Sequence, residues 1–381
     1  MSEQLIAAAQ RFENWMKHQA IPLWQTSGLH PQAGVHYERL LPNGKVDYTA
    51  DLRLRVQARQ IFFYAAAEHY GWCDNGAAIS RQILQSIQEH AAHPSGDGFI
   101  YMLNSQLDII DGKQDLYDHA FFLLGYAWLF KVSRDPAIIK LADKLFTHLD
   151  TRFASPFGGW IEGDHAYSCR RQNPHMHLFE AFLALYDATQ NHQWLTRATH
   201  IFSLFTTHFY DAEKQVLFEF YEEDWQRCRD TRGDLVEPGH LMEWVWLLDW
   251  YSRCTGEDVS QYTNALYKKG LSIGIDKAGL LYDTLTYDGK IIDSRKRLWP
   301  MTEFIKASLV QARTGNPHAE ALAIKGVDDL FTYFLTTPTA GAYIDQRGAN
   351  NDIINDYAPA STLYHLIGVV MELADHCRAI K

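Results

Sequence analysis

The sequence predicts an all-α fold, an (α/α)6 barrel with short β-hairpin inserts on one face. Three observations lead there. Apolar residues recur with helical period along most of the chain. The helical segments come in pairs, with short turns inside a pair and longer, strand-like links between pairs. The unit repeats, and a repeat outranks any local reading. Six pairs with their links on one face close into a ring, six helices inside and six outside. No Pro-, Gly- or Ser-rich linker interrupts the pattern, so residues 1–381 are read as one domain.

About twelve helical segments are expected, over 4–19, 50–71, 75–93, 116–133, 135–152, 174–190, 192–210, 238–254, 258–274, 300–314, 316–335 and 358–378. Pro near a start marks "NPHMH" and "EPGH", while "SRDPAI" and "TGNPHAE" read as turns inside pairs. Between pairs, "HYERLLPNGKVDY", "GFIYMLNSQLDIIDGK", "GGWIEGDHAYSC", "VLFEFYEEDW", "GLLYDTLTYDGKIID" and "GAYIDQRGANNDIIND" read as hairpin-like inserts; Asn-Gly and Asp-Gly favour such turns. Each precedes an even-numbered helix.

Composition narrows the class. The chain is 47% hydrophobic, enough for a large core, and its 11 Trp, 20 Tyr and 20 Phe suit pockets as well as cores. Net charge is −11 with no Lys/Arg-rich run, which argues against nucleic acid. The longest apolar run, "AFFLLGYAWLF", is too short to span a bilayer, and the first residues lack a signal-peptide pattern. The five cysteines are scattered and form no CxxC, so neither a disulfide framework nor a zinc ribbon is expected. The expectation is a soluble, cytoplasmic, reduced protein.

One position near the start of each even helix is ionisable: Arg59, His119, His177, His240, Glu303 and His365, spaced by 60, 58, 63, 63 and 62 residues. Core positions do not repeat this way. Equivalent positions at one end of an inner ring converge on its axis, which predicts a pocket there. Leu363, Leu366, Ile367, Val370 and Met371 form one stripe of the last helix, and His365 lies opposite. His177 shares a side with Glu180, Ala181 and Ala184, whereas His175 lies on the far side. Glu180 and Glu243 follow their histidines by three residues, close enough to orient the rings.

No HExxH, cysteine cluster, Walker A or GxGxxG is present, so no metal, nucleotide or other cofactor is expected. Histidines without a metal suit proton transfer near neutral pH. Two of them, with donors for an enediolate oxygen, can move a proton beside a carbonyl. Glycoside cleavage or elimination would instead draw on carboxylates such as Asp118, Glu243 or Glu303. A non-catalytic sugar-binding toroid is the third reading.

The stretches "RVQARQIFFY", "DHAFFLLGYA", "RRQNPHMHLFEAF", "EPGHLMEWVWLL", "RLWPMTEFIKA" and "STLYHLIGVV" resemble the N-acylglucosamine 2-epimerase family over nearly the whole chain. The resemblance implies the same barrel and metal-free chemistry through ring opening and a cis-enediol, on a monosaccharide. Arg59 would bind substrate oxygens, and Asn173 and His177 would hold hydroxyls, with His119 in the same ring. His240 and His365 would be the two acid/bases, Glu243 supporting the former. Trp299 and Glu303 would line the sugar site. The "PAST" before His365, with Ser361 four residues ahead of it, looks most like mannose isomerases. The expected activity is D-mannose to D-fructose, with a sugar 2-epimerase as the alternative within the family. No nucleic acid or membrane partner is expected; a homo-oligomer is compatible with the reading.

Overall fold

A computed structural model describes residues 2–378; Met1 and residues 379–381 lie outside the described part of the predicted 1–381 domain. The helices pair as expected. α1 (Glu3–Trp15) runs through a π turn, Met16–Ala20, into α2 (Ile21–Ser27). Then follow α3 (Leu54–His69) with α4 (Gly76–His90), α5 (Leu116–Ser133) with α6 (Pro136–Arg152), and α7 (Asn173–Thr189) with α8 (His192–Leu204). The remaining elements are α9 (Pro238–Thr255) with α10 (Ser260–Gly274), α11 (Leu298–Arg313) with α12 (Ala319–Leu330), and α13 (Leu363–Arg378). The first segment therefore extends past the expected residue 19. Pro22 sits at the start of α2, where its missing N–H costs little, and the π turn carries the chain into it.

Helices α3, α5, α7, α9, α11 and α13 touch in sequence, and α13 closes back on α3. They are buried on nearly all sides, as inner helices must be. Outer α4 buries one face only, through Ile79, Ile83, Leu84 and Ile87. Gly125 of α5 lets the inner ring close tightly, because a Cβ there would lie 3.1 Å from the carbonyl oxygen of Ala58 on α3. Trp244 stacks between Phe179 and Phe205, with ring centroids 5.5 and 4.6 Å away. Cutting such a side chain to alanine costs about 3–5 kcal/mol.

Short strands fill the links. They are β1 (Arg39–Leu40) and β2 (Leu52–Arg53) before α3, β3 (Met102–Leu103) and β4 (Ile109–Asp111) before α5, and β5 (Arg170–Arg171) before α7. β6 (Tyr210–Asp211), β7 (Val216–Leu217), β8 (Phe220–Tyr221) and β9 (Leu235–Val236) precede α9. β10 (Thr284–Thr286), β11 (Ile291–Asp293) and β12 (Lys296–Arg297) precede α11, and β13 (Gln346–Arg347) and β14 (Ala358–Pro359) precede α13.

Hairpins form at β3–β4, β6–β7 and β10–β11. The expected hairpins at "HYERLLPNGKVDY", "GGWIEGDHAYSC", "VLFEFYEEDW" and "GAYIDQRGANNDIIND" shrink to single bridges, Leu40 to Val46, Ala154 to Trp160, Tyr221 to Arg227 and Arg347 to Ile353. Their backbone groups are taken by neighbouring repeats. The residues leading into each inner helix pair with the next insert: β2 with β3, β5 with β8, β9 with β10, β12 with β13, and β14 with β1. The Asp115–Gly163 bridge makes the sixth seam. These antiparallel seams hold the helix mouths together around the axis.

The cysteine expectation needs correction. Cys169 and Cys228 are joined by a disulfide, because the β5–β8 seam brings together two segments 59 residues apart in sequence. No helix among the described residues is long and apolar enough to cross a membrane.

Candidate active site

The N-terminal ends of the inner helices open into a cavity of about 750 Å3, within the usual range for small-molecule sites. Helix N-termini carry positive potential, which favours an oxyanion on the axis.

Trp299, in the first turn of α11, stands between two histidines. Its ring centroid lies 5.1 Å from that of His240, in the first turn of α9, and 5.4 Å from that of His365, in the first turn of α13. The two histidines have opposite surroundings. Nδ1 of His240 bonds Glu219 at 2.9 Å and lies 3.7 Å from Glu237. Gln172 donates to the same Glu219 oxygen at 2.9 Å and accepts from the indole N–H of Trp244. Burial opposes a charge on His240, but Glu219 and Glu237 outweigh it and push its pKa up to about 10. Nδ1 of His365 bonds Glu303 at 2.9 Å, and Lys306 pairs with the other oxygen of Glu303 at 2.5 Å. Burial, followed by Arg59, Lys306 and cationic His240, pushes His365 well below the usual range. His365 is thus neutral, with its Nδ1–H donated to Glu303 and Nε2 left for the cavity, whereas His240 is protonated.

Arg59 donates to the Tyr117 hydroxyl at 2.8 Å and to the Ser361 carbonyl at 3.1 Å, and its guanidinium lies 4.1 Å from the Phe121 ring centroid. Its Nε, Oδ1 of Asn173 and both carboxylate oxygens of Glu243 are buried without a hydrogen-bond partner in the protein. Such atoms cost free energy unless something pairs with them, and all three residues line the cavity. These unpaired atoms can hydrogen-bond a polar ligand in the cavity. Burial, reinforced by Glu303, pushes Glu243 well above the carboxylate range, toward a neutral acid.

Arg59, Asn173, His177, His240, Glu243, Trp299 and His365 therefore surround one space. Three expectations change. His119 does not face it: its Nε2 accepts from the Phe99 N–H at 3.0 Å, and its Nδ1 bonds the Asp115 carbonyl at 2.7 Å. Tyr117 takes its place, two residues earlier and so about 200° round the helix. Glu303 lies one turn below Trp299 and holds His365 rather than lining the sugar space. Glu243 makes no hydrogen bond to His240 and adds only a minor charge effect there; Glu219 holds the ring directly, and Glu243 approaches His177 at 4.0 Å. His175 faces outward as expected and accepts from the Trp160 N–H at 3.1 Å. Asp118 is buried against Arg55, 3.1 Å away, outside the cavity lining.

Glu219, Glu237, Gln172, Tyr117 and Lys306 were not singled out from the sequence. Glu219 left a trace, as the lone charge inside the apolar run "VLFEF", and Lys306 follows Glu303 by three residues.

Residues 35–369 match the family model described as N-acylglucosamine 2-epimerase. A relative from Rhizobium meliloti (strain 1021), named mannose-6-phosphate isomerase, is 33% identical over 370 residues, 95% of each chain. A D-mannose isomerase from Thermobifida fusca is 28% identical over 296 residues, 72% of each chain. The solved cellobiose 2-epimerase from Bacillus thermoamylovorans superposes with a TM-score of 0.86 at 19% identity, covering 96% of this chain and 98% of that one. A matched span this long, on a barrel whose mouth carries one protonated and one neutral histidine, leads to one conclusion: the chain belongs to the N-acylglucosamine 2-epimerase family, as an enzyme of its sugar isomerase and epimerase kind.

Proposed function

We propose that the protein is a metal-independent aldose–ketose isomerase that interconverts D-mannose and D-fructose. The observation that carries this reading is the charge difference between His240 and His365. An epimerase must return a proton to C2 from the opposite face, which calls for a second carbon base. His240, held cationic by Glu219 and Glu237, is suited to oxygens instead.

In the open sugar, His365 Nε2 takes the C2 proton, the C2–H electrons form the C1–C2 double bond, and O1 receives a proton from His240. The enediol then loses its O2 proton to His240 as the C2 carbonyl forms, and His365 returns its proton to C1. One hydrogen has moved from C2 to C1 and one from O2 to O1, with both histidines restored. Arg59, always protonated, serves the developing oxyanion.

The Rhizobium meliloti relative is named for a phosphorylated sugar. A free sugar fits this cavity better. Of its six arginines, Arg39, Arg53, Arg55, Arg171 and Arg297 are already paired with Asp47, Glu38, Asp118, Glu162 and Asp283. Only Arg59 lacks a carboxylate, and it sits deep beside His365, so a phosphate dianion at the rim meets neutralised cations.

The test is to offer mannose, mannose 6-phosphate and cellobiose in heavy water and follow products by NMR. Free mannose should give fructose carrying deuterium at C1, with glucose minor. Glucose labelled at C2 as the main early product would make the enzyme a 2-epimerase and require His240 to act on carbon.

A further inference from the structure

A second cavity, of about 100 Å3, lies at the other end of the barrel. Its rim comes from the C-terminal ends of inner helices and is charged: Lys131, Asp187, Arg253 and Asp375. Its deep wall contains Glu180 and Lys306, each 2–3% exposed. Neither residue lines the sugar cavity, yet both touch residues that do or that hold them. Glu180 Oε2 bonds Nδ1 of His177 at 3.2 Å and accepts from the Tyr364 hydroxyl. Lys306 reaches His365 through Glu303. One carboxylate thus borders solvent from the rear and holds a histidine of the front cavity.

We propose that Glu180 is a positioning residue controlled from the far end of the barrel: water in the rear cavity sets the protonation of its carboxylate, and the carboxylate sets which nitrogen of His177 offers a lone pair to the sugar. The ionised carboxylate accepts from Nδ1–H, which leaves Nε2 as an acceptor for a hydroxyl. Adding one proton from rear water to the carboxylate, with no other bond made or broken, weakens that hold and releases the tautomer. Only the consequence for KM rests on the sugar-isomerase reading.

The groups around Glu180 support a titration in the working range. Burial raises it and Glu303 adds to this; Lys306, the Tyr364 hydrogen bond and Arg59 lower it, and the balance lies at about 7. Glu243 faces the same cluster from α9, pushed toward the neutral acid. His177 itself stays neutral, pushed well down by burial and then by Arg59, so its response is a change of tautomer rather than of charge.

Gly368 provides a probe remote from the sugar. It lines the rear cavity, and a Cβ there would meet nothing within 4 Å. Gly368→Leu fills the cavity with apolar atoms, which dries the carboxylate and raises its pKa; Gly368→Ala does so less.

The experiment is 15N NMR of histidine-labelled protein across about pH 5 to 8, with His177 assigned by its loss in His177→Gln. The Nδ1–H form should dominate at the alkaline end and decline with a midpoint near neutrality. Glu180→Gln should abolish the dependence, and Gly368→Leu and Gly368→Ala should move the midpoint up, the former further. For mannose, KM should rise about fivefold on acidification through the midpoint, the factor for losing one neutral hydrogen bond between Nε2 and a sugar hydroxyl. That rise should vanish in Glu180→Gln, while kcat shows no limb at this pH. A His177 tautomer constant across the range would overturn the coupling. A midpoint unmoved in both folded Gly368 variants would overturn the rear route. Inactivity on every sugar would instead count against the isomerase reading and leave the NMR result standing.

Discussion

At the mouth of α9, His240 lies beside two carboxylates: Glu237, which Arg297 also reaches at 3.3 Å, and Glu219, whose cationic partner is the ring itself. At the mouth of α13, His365 also bonds a glutamate, but Lys306 already neutralises that carboxylate and Arg59 presses on the ring from α3. Residue type and helical position are the same, and the first hydrogen-bond partner is the same kind of group. The protonation states differ because of the second neighbour. An acid and a base made from one residue type require their environments to push them apart, and here a lysine below one ring and a second glutamate beside the other do so.

Removing the base is the most severe way to break the comparison. His365→Asn should fold normally and lose about 10²–10⁴-fold in kcat, the usual contribution of a general base. If a folded variant kept more than about a third of wild-type turnover, below the tenfold loss at which such effects begin, His365 would not be the carbon base.

The next test erases the difference without removing either histidine. In the proposed mechanism activity needs His240 protonated and His365 neutral, so the alkaline limb of the rate profile should belong to His240. Because the folded pKa is raised, the required proton is held up to about 10 and lost only as pH rises through that value. Glu219→Gln keeps a hydrogen bond and deletes the charge. An opposite charge at this distance is worth about 1–3 pH units, so the alkaline limb should fall by that amount while the acid limb stays. A limb that did not move would mean Glu237 alone holds the proton.

His119 offers a milder contrast, a repeat histidine that the barrel uses structurally. Burial pushes it down to about 4, and both ring nitrogens are spent on backbone groups. His119→Ala should cost about 1–3 kcal/mol of stability, the price of orphaning buried partners, and change kcat less than about twofold. Thermal melts and steady-state rates separate the two effects.

The history of these residues in the sequence follows the range of the forces involved. Helix periodicity and pairing depend on near neighbours, so the inner and outer rings and five of the helix mouths were legible. Which side of a helix faces the axis is set by neighbours from other repeats. A two-residue shift therefore put His119 where Tyr117 stands. Glu219 reaches His240 from an insert strand, outside the helical repeat that pointed to the ring. The seams between inserts, the Cys169–Cys228 link and the continuation of the first helix past Pro22 likewise depend on partners far along the chain or on local bending that periodicity does not record.

The smallest expected effect is none at all, and it bears directly on the comparison. Donor atoms of Glu219, Glu237 and His240 lie within 4.8 Å of one another. Were a divalent cation held there, His240 would bind it through a neutral nitrogen, since a metal ligand must be deprotonated. The acid would disappear and the cation would have to polarise the sugar oxygens in its place. The hydrogen bonds argue for the proton instead: Nδ1, the nitrogen nearest both carboxylates, is committed to Glu219, and Gln172 donates to the same oxygen, a contact that suits an anion bonded to an imidazolium. Dialysis against a strong chelator should therefore leave kcat and the alkaline limb unchanged. Loss of activity restored by zinc, manganese or magnesium would turn His240 from an acid into a ligand, and the difference between the two helix mouths would then be one of metal binding and not of proton affinity.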